Sequence, residues 1–347
     1  MLVPVLLSCT GNHRGDADLR TVKVDFSELE HISQSDGRIV HLETTDSSLL
    51  YDICRLDVHE DTFVVQSRSF LYTFASTGKF IGPISQKGHA GNEYLQISNV
   101  FFEDGVVGIY DFNRKAILRF NLEGRLLSVQ KCDIADDDVF PFHIYPWNGG
   151  YIALNTYGGE SADRKALCFL NKELTSGKSI EGRSLSTGFS TYDDMFIGSN
   201  GDLLYWELLC DTLFTIDNGR LRPLLAIDFG EHALPYNVAG KDVYERVEYA
   251  DKLEEHGKKL AGMARYYQRI GNKIYFSCLS PDNGILLCQY DEDSGTSRLF
   301  TVNFDHRQYA TGTFFLIKDN MLYWEVRDEA DLSLNPGLFV IHLDDWA

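Results

Sequence analysis

Residues able to do chemistry are scattered along this chain rather than grouped. Glu93, Asn99, Asp193 and Asp194 carry side-chain oxygens of the kind a hard cation takes, and His143 or Arg265 could assist by moving a proton or steadying charge. Asp136-Asp137-Asp138 adds another acidic run, but neither it nor Asp193-Asp194 has EF-hand spacing. Tyr51, Tyr94, Tyr192, Tyr266 and Tyr309 offer flat faces for stacking a sugar or a peptide group. No GxSxG, HExxH, GxxxxGK[ST] or helix-opening GxGxxG occurs. Taken singly, Asp52, Glu93, His143, Asp193, Asp194 and Arg265 read as structural hydrogen-bonding groups or solvated loop residues. The residue types therefore favour binding over catalysis. No catalytic residue is assigned, no metal ligand set is assigned, and Ca²⁺ is the single cofactor weighed.

Such residues meet only if the fold gathers distant stretches. The stretch from Phe70 to Tyr94, FLYTFASTGKFIGPISQKGHAGNEY, is a strand, a Ser-Thr-Gly-Lys turn, a second strand and a Gly-rich loop. Its hairpin returns as Ala116 to Leu127, AILRFNLEGRLL, with Phe74, Gly78, Phe80 and Ile81 matching Phe120, Gly124, Leu126 and Leu127 at a constant offset of 46. Turn residues recur at Asp61, Asp104-Gly105, Gly149-Gly150, Asn200-Gly201, Gly271-Asn272 and Asp319-Asn320, mostly at spacings of about 40–50 residues, the length of a four-stranded propeller blade. A second set of hairpin turns follows at 76–79, 122–125, 172–178, 217–220 and 291–296. Only the sixth unit lacks one, which leaves it three strands; the N-terminal strand Arg38 to Glu43 is expected to supply the fourth and remove an open sheet edge. The fold class is thus an all-β, six-bladed β-propeller of four-stranded antiparallel blades. One helical insertion is expected near 241–260, where Asp242 and Glu245 form a capping pair and Val243, Val247, Ala250 and Leu253 share a face.

Connectivity places the long connections (44–50, 83–96, 131–139, 156–163, 183–192, 229–263, 303–311 and 327–335) on one face and the tight turns on the other. The long-loop face is the expected binding face. Tyr51, Tyr94 and Tyr309 enter it ten residues before Asp61, Asp104 and Asp319, with Phe140, Tyr192 and Tyr266 in similar places. These aromatics suit either inter-blade packing or a collar at a channel mouth. The expected ligand-binding set is Tyr51, Glu93, Tyr94, His143, Tyr192, Asp193, Arg265, Tyr266 and Tyr309.

The 347 residues are 44% hydrophobic and 13% aromatic, ample for a core. A net charge of −19 with no basic stripe excludes nucleic acid as a partner class. The start, MLVPVLLSC, is apolar up to Cys9 and then polar, so Leu6-Leu7-Ser8-Cys9 reads as the end of a lipoprotein signal with Cys9 acylated. Residues 1–9 are then signal-like, 10–37 a tether and lead-in, and 38–347 the propeller. Of the other cysteines none has CxxC spacing; Cys278 and Cys288 flank one hairpin loop as diagonal neighbours, for which free thiols are expected.

The segment Phe80 to Tyr94, followed by Val100 to Gly124, resembles the six-bladed β-propeller lipoproteins abundant in Bacteroides-type bacteria. Their pattern is a strand, a G-x-G-P-G-E-Y loop, a second strand and a yD-x-x-G-K/R hairpin. Gly88, Glu93 and Tyr94 keep that pattern, while Ala90, Gly91 and Asn92 stand where the family favours Gly, Pro and Gly. The phrase IVHLETTDSSLLYDICRLDV extends the likeness, and blade spacing carries it over 40–347. The resemblance implies a cell-envelope location, at the periplasmic or outer-membrane surface, and is silent on any reaction; such proteins are mostly domains of unknown function. The expected function is a lipid-anchored, non-enzymatic binding module for a glycan, a peptide or an envelope protein, touching the membrane by its anchor alone. The alternatives are a metal-dependent propeller hydrolase, lactonase or lyase with a cation in the channel, and a structural subunit of an envelope complex.

Overall fold

Strands form here because apolar side chains alternate onto both faces of each hairpin, so that a blade can bury two sides at once. The computed structural model describes residues 19–345 apart from 104, 135–140, 155–166, 180–196, 200–201, 207–210, 218, 235–242, 283 and 306–308. Three short strands come first: β1 (Arg20–Lys23), β2 (Leu29–Ser33) and β3 (Arg38–His41). Blade 1 is β4 (Arg55–His59), β5 (Thr62–Ser67), β6 (Phe70–Ala75) and β7 (Phe80–Pro83). Blade 2 is β8 (Ile97–Glu103), β9 (Val106–Asp111), β10 (Ala116–Asn121) and β11 (Leu126–Lys131). Blade 3 is β12 (His143–Trp147), β13 (Gly150–Leu154), β14 (Leu167–Leu170) and β15 (Gly177–Ser179). Blade 4 is β16 (Ile197–Ser199), β17 (Asp202–Tyr205), β18 (Thr212–Asp217) and β19 (Arg220–Asp228). After helix α1 (Val243–Glu255), blade 5 is β20 (Gly262–Ile270), β21 (Lys273–Leu279), β22 (Ile285–Asp291) and β23 (Thr296–Asn303). Blade 6 is β24 (Tyr309–Lys318), β25 (Met321–Asp328) and β26 (Gly337–His342), completed by β3.

The fold is an all-β six-bladed propeller. First and second strands of blades 1, 3, 5 and 6 meet across the expected turn residues, whereas Asp104 and Asn200-Gly201 lie outside the described residues; β3 pairs antiparallel with β26, Ile39 facing Phe339. Three details differ from the sequence reading. The third-blade turn ends earlier, because β15 already begins at Gly177. The helix stops at Glu255 because Gly257 turns left-handed (φ 81°), its N–H reaching the Glu254 carbonyl while that of Lys258 reaches Leu253. The lead-in is not loose from Arg20 onward: β1 adds a parallel fifth strand beside β19, and β2 a fifth strand beside β23. Edge strands β19, β23 and β26 are therefore all covered by N-terminal residues, which removes their free backbone groups.

The chain divides into two compact units, one of Met1–His31 with Ser186–Thr301, the other of Ile32–Leu185 with Val302–Ala347. In the first, Val22, Val24, Trp206, Leu213, Phe276 and Leu299 share one apolar cluster drawn from β1 and blades 4 and 5. In the second, blade 2 is buried on both faces. Leu118 and Phe120 pack with Val64, Leu71 and Tyr94 towards blade 1, whereas Ile117 and Tyr110 pack with Ile144 and Cys168 towards blade 3. No helix among the described residues is long and apolar enough to cross a membrane. Cys278 faces Leu286 and Cys288 faces Phe276, so the two thiols are diagonal and free; burial pushes the Cys278 thiol up to about 12 and the Cys288 thiol upward too.

The offset repeat has a physical cause in the second unit. The turn between β6 and β7 closes by Gly78 N–H to Ala75 O, with Gly78 left-handed (φ 89°), followed by a register shift in the pairing. The turn between β10 and β11 repeats this with Gly124 (φ 78°) and Asn121. Each glycine lies against the backbone of the outermost strand one blade back. A Cβ on Gly78 would stand 2.0 Å from the His41 carbonyl, and one on Gly124 2.7 Å from that of Ile84. Gly78→Ala therefore meets both a wrong φ and a backbone clash and should cost about 3 kcal/mol. Gly82→Ala, whose Cβ meets nothing within 4 Å, should stay within about 1 kcal/mol. Chemical denaturation of the two variants checks this; equal losses would contradict it.

Candidate functional site

The loop end of blade 6 holds a cavity of about 260 Å³. Its wall follows the sheet across all four strands. Tyr309 opens β24 opposite Asp328 of β25; Val326 is opposite Gly337 of β26, which is opposite His41 of β3. Leu42, Glu43 and Thr44 continue from β3, and Leu334 and Asn335 come from the loop between β25 and β26. Strand alternation puts Val326 and Asp328 on the cavity side and Glu325 and Arg327 on the other, where Arg327 Nη2 donates to Glu325 Oε1 at 2.8 Å.

Four sets of contacts hold the wall in place. Asn335 is buried and ties two loops together: its Nδ2 donates to the carbonyls of Glu43 (2.9 Å) and Ser48 (2.8 Å), and its Oδ1 accepts from Leu50 N–H at 2.7 Å. Glu43 is held by the β6–β7 turn, donating N–H to Gly78 O at 2.8 Å and accepting Phe80 N–H on Oε2 at 2.9 Å. The Tyr309 ring packs near those of His41 (6.0 Å) and Phe304 (5.8 Å), both tilted. Asp328 accepts Ala330 N–H on Oδ1, fixing the start of the following loop. Among the described residues the cavity has apolar and aromatic walls with His41, Thr44, Asn335 and two acids, Glu43 and Asp328.

Of the residues expected to bind, Tyr309 lies in this cavity. Tyr94 is buried at 1% exposure in the cluster between blades 1 and 2, and its hydroxyl donates to Ser69 O at 2.6 Å; burial raises its pKa. Tyr51 is exposed, with the Arg68 guanidinium 4.5 Å over its ring. Glu93 organises the Gly-rich loop, accepting Ala90 N–H on Oε2 (2.8 Å) and Gln86 on Oε1 (2.7 Å), and the first of these bonds holds its carboxyl below the ordinary range. Its carboxylate lies where a Cβ on Gly88 would fall, which explains why Gly88 and Glu93 belong to one motif. Arg265 and Tyr266 lie in the other unit, on β20, where the pairing with β21 shifts register on both sides of Arg265 and Tyr266 is left-handed (φ 53°). Tyr192, Asp193, Asp194, Phe140, Asp136 to Asp138 and Cys9 fall outside the described residues.

The inner strands of blades 1 to 3 carry a separate polar set. Arg55 on β4 donates to the Tyr145 hydroxyl on β12 at 2.7 Å. Asn99 is buried and bonds both backbone groups of Ile144, at 2.7 and 2.8 Å, so its side chain is committed to joining blades 2 and 3. His143 is buried among Phe142 and Tyr145, and neither ring nitrogen has a hydrogen-bond partner among the described residues. Burial first, and the Arg55 charge second, lower its pKa to about 3. Glu325 is also fully buried, and burial raises its pKa against the pull of Arg327. Among the described residues no group of three or more His, Cys, Asp and Glu stands together in a metal-holding arrangement.

Sequence reasoning found Tyr309 but missed His41, Glu43, Asp328 and Leu334. The signal that could have found them was the meeting of two long loops already marked, 44–50 and 327–335, through the Asn-Pro-Gly at 335–337.

The sequence matches the family described as Domain of unknown function (DUF4934) over residues 23–323. Among curated proteins no sequence relative is found. Two solved structures are similar in fold. One is a Bacteroides fragilis protein thought to be exported, with TM-score 0.60 and 14% identity, covering 93% of this chain and 99% of that one. The other is a member of the DUF4221 family from Bacteroides vulgatus, with TM-score 0.56 and 11% identity, covering 89% and 98%.

His143 sets a pH dependence. Its folded pKa lies below its unfolded value of 6.5, so between about 3 and 6.5 the unfolded chain binds the extra proton and stability falls as pH falls. His143→Leu should raise the melting temperature relative to the parent, and by more at pH 5 than at pH 7. An equal change at both pH values would contradict the assignment.

Proposed function

The chain belongs to the DUF4934 family, a domain of unknown function, and from that premise we propose that it is an exported, envelope-associated binding module that takes its ligand at the loop end of blade 6. The single observation that carries this reading is the cavity beside Tyr309, where Thr44, Asp328 and Leu334 of the long connections meet and Asn335 holds them in place. Recognition sites lie on loops that a rigid scaffold positions, and a concavity with an aromatic wall and a few fixed polar groups is the usual form of a ligand site. The ligand is a glycan, a peptide or an envelope protein. Export is supported by the fold likeness to the Bacteroides fragilis protein thought to be exported and by the Leu-Leu-Ser-Cys start. Acylation of Cys9 then anchors the chain, with two signals or a second chain needed for firm retention.

Thermal shift of the full chain against glycan and peptide panels tests the site. Tyr309→Ala should lower affinity for the ligand found by about tenfold or more, while Ile81→Ser, exposed on β7, should leave it unchanged. Equal sensitivity of the two variants counts against the site. Cys9→Ala should move the chain from the membrane fraction to the soluble envelope fraction; unchanged fractionation counts against the anchor.

A further inference from the structure

We infer that the outer edge of β11 is a docking site for an extended, acidic segment of a partner protein, which adds to blade 2 as a fifth strand. The other outer edges are closed to such a segment. N-terminal strands cover β19, β23 and β26, and the described part of β15 is three residues long. β7 carries Pro83, which has no N–H to offer. β11 runs for six residues, and the offset of 46 between the two hairpins puts Val129 where β7 has Pro83. Its bulge lies at its start, before Ser128, and leaves the rest of the edge regular. Cys132 N–H donates to the Lys115 carbonyl, so antiparallel alternation turns the main-chain groups of Gln130 and Ser128 towards β10 and those of Val129 and Lys131 outward. Among the described residues nothing bonds these outward groups. Blades 4 and 5 take fifth strands at the same place, from β1 and β2, so the blade geometry admits one.

Side chains around the edge define the occupant. Leu127 and Val129 are each 46% exposed, and apolar residues placed opposite them on an added strand would cover both. Gln130 points the other way and fixes the strand: its Nε2 donates to the Lys172 carbonyl at 2.6 Å, and its Oε1 accepts from Arg119 Nη1 at 3.1 Å. The edge is therefore a preformed template, on which main-chain bonds give affinity and alternate side chains give specificity. Charge selects among extended segments. From Phe112 to Cys132 the chain carries five bases and one acid, against a net charge of −19 for the whole. Arg114 is committed to carbonyls of the Gly-rich loop, and Arg119 to Gln130 and the Tyr151 hydroxyl. Lys115, Arg125 and Lys131 are exposed and form no ion pair among the described residues. Acids directly opposite such bases stabilise a strand pair and like charges destabilise it. The distant acids of the chain are screened beyond about 8 Å at physiological salt, so these three local bases decide. A second copy would set this basic edge against its own like.

The test uses a fluorescent peptide, Glu-Thr-Val-Thr-Val-Thr-Glu, whose glutamates and valines share one face, read by anisotropy against the full chain. Residues opposite Val129 turn their amides towards β11, so N-methylation of both valines should weaken binding at least about tenfold. N-methylation of the threonines, whose amides point away, should leave it unchanged. Replacing both glutamates by lysine should weaken binding several-fold, and binding of the parent peptide should fall as salt rises. Val129→Pro gives blade 2 the edge that blade 1 has, removing one outward N–H and no bond to β10, and should abolish binding. Lys131→Glu leaves the main chain intact; it should weaken the glutamate peptide and strengthen the lysine one. If Val129→Pro does not fold, Lys131→Glu and the N-methylated peptides decide. Equal binding of the two N-methylated peptides, a lysine peptide as tight as the glutamate one, or no saturable binding by about 1 mM would each overturn the inference. A dimer of the chain, seen by sedimentation and dissolved by Val129→Pro, would overturn the partner protein and give the edge to a second copy.

Discussion

The unit that contains blade 6 and blades 1 to 3 depends on one backbone contact made repeatedly. The tip of each hairpin between third and fourth strands presses onto the main chain at the end of the outermost strand one blade back. Gly78 meets the His41 carbonyl and accepts the Glu43 N–H; Gly124 meets the Ile84 carbonyl; Leu174, left-handed (φ 58°) and fully buried, accepts the Asp133 N–H at 2.9 Å. Because the contact is backbone to backbone, it fixes the spacing of neighbouring blades without depending on side-chain shape. It also fixes the cavity wall, since His41 and Glu43 are the residues that the first of these tips holds. Scaffold and candidate site are therefore not independent: the turn that sets blade spacing also aims the acid beside the cavity.

Buried polar groups divide the same unit into two kinds of contact. Asn99 and Asn335 spend nearly all their hydrogen-bonding capacity on backbone groups of other segments, the former between blades and the latter between loops. A buried amide used this way specifies one arrangement, because any shift leaves several groups unpaired. His143 and Glu325 differ. Both are fully buried and both are titratable, and their environments push their pKa values in the directions that keep them neutral. Burial opposes charge at both positions; the Arg327 charge resists that push at Glu325, whereas the Arg55 charge adds to it at His143.

Much of the fold was legible because its determinants are local. Positive φ at a turn favours Gly, Asn or Asp, and Gly78, Gly105, Gly124, Gly149, Gly271, Asp319 and Asn320 all take it. The closing strand was legible by counting strands. β1 and β2 were not, although Val22, Val24 and Phe26 alternate, because their partners lie in β19 and β23, far along the chain. The candidate site was harder to read for the same reason. Asp328 and Glu43 look like ordinary surface acids until pairing of β24, β25, β26 and β3 sets them around one space. Tyr94 and Glu93 mislead in the opposite way: their place in a motif reflects loop folding and packing, which constrain a residue as tightly as a ligand does.

The N-terminal strands also bear on the timing of folding. β1, β2 and β3 leave the ribosome first, but they pair with β19, β23 and β26, and Asn335 bonds Glu43 across 292 residues of chain. At about 5–20 residues per second, blade 6 waits roughly 15 seconds to a minute for its last partner. During that interval β3 has no sheet to join, and blade 6 cannot be completed without residues 337–342. Contacts of such sequence separation also fold slowly once the chain is whole. The architecture thus delays the closing of blade 6 until residues 337–342 have been made, however early the other blades form.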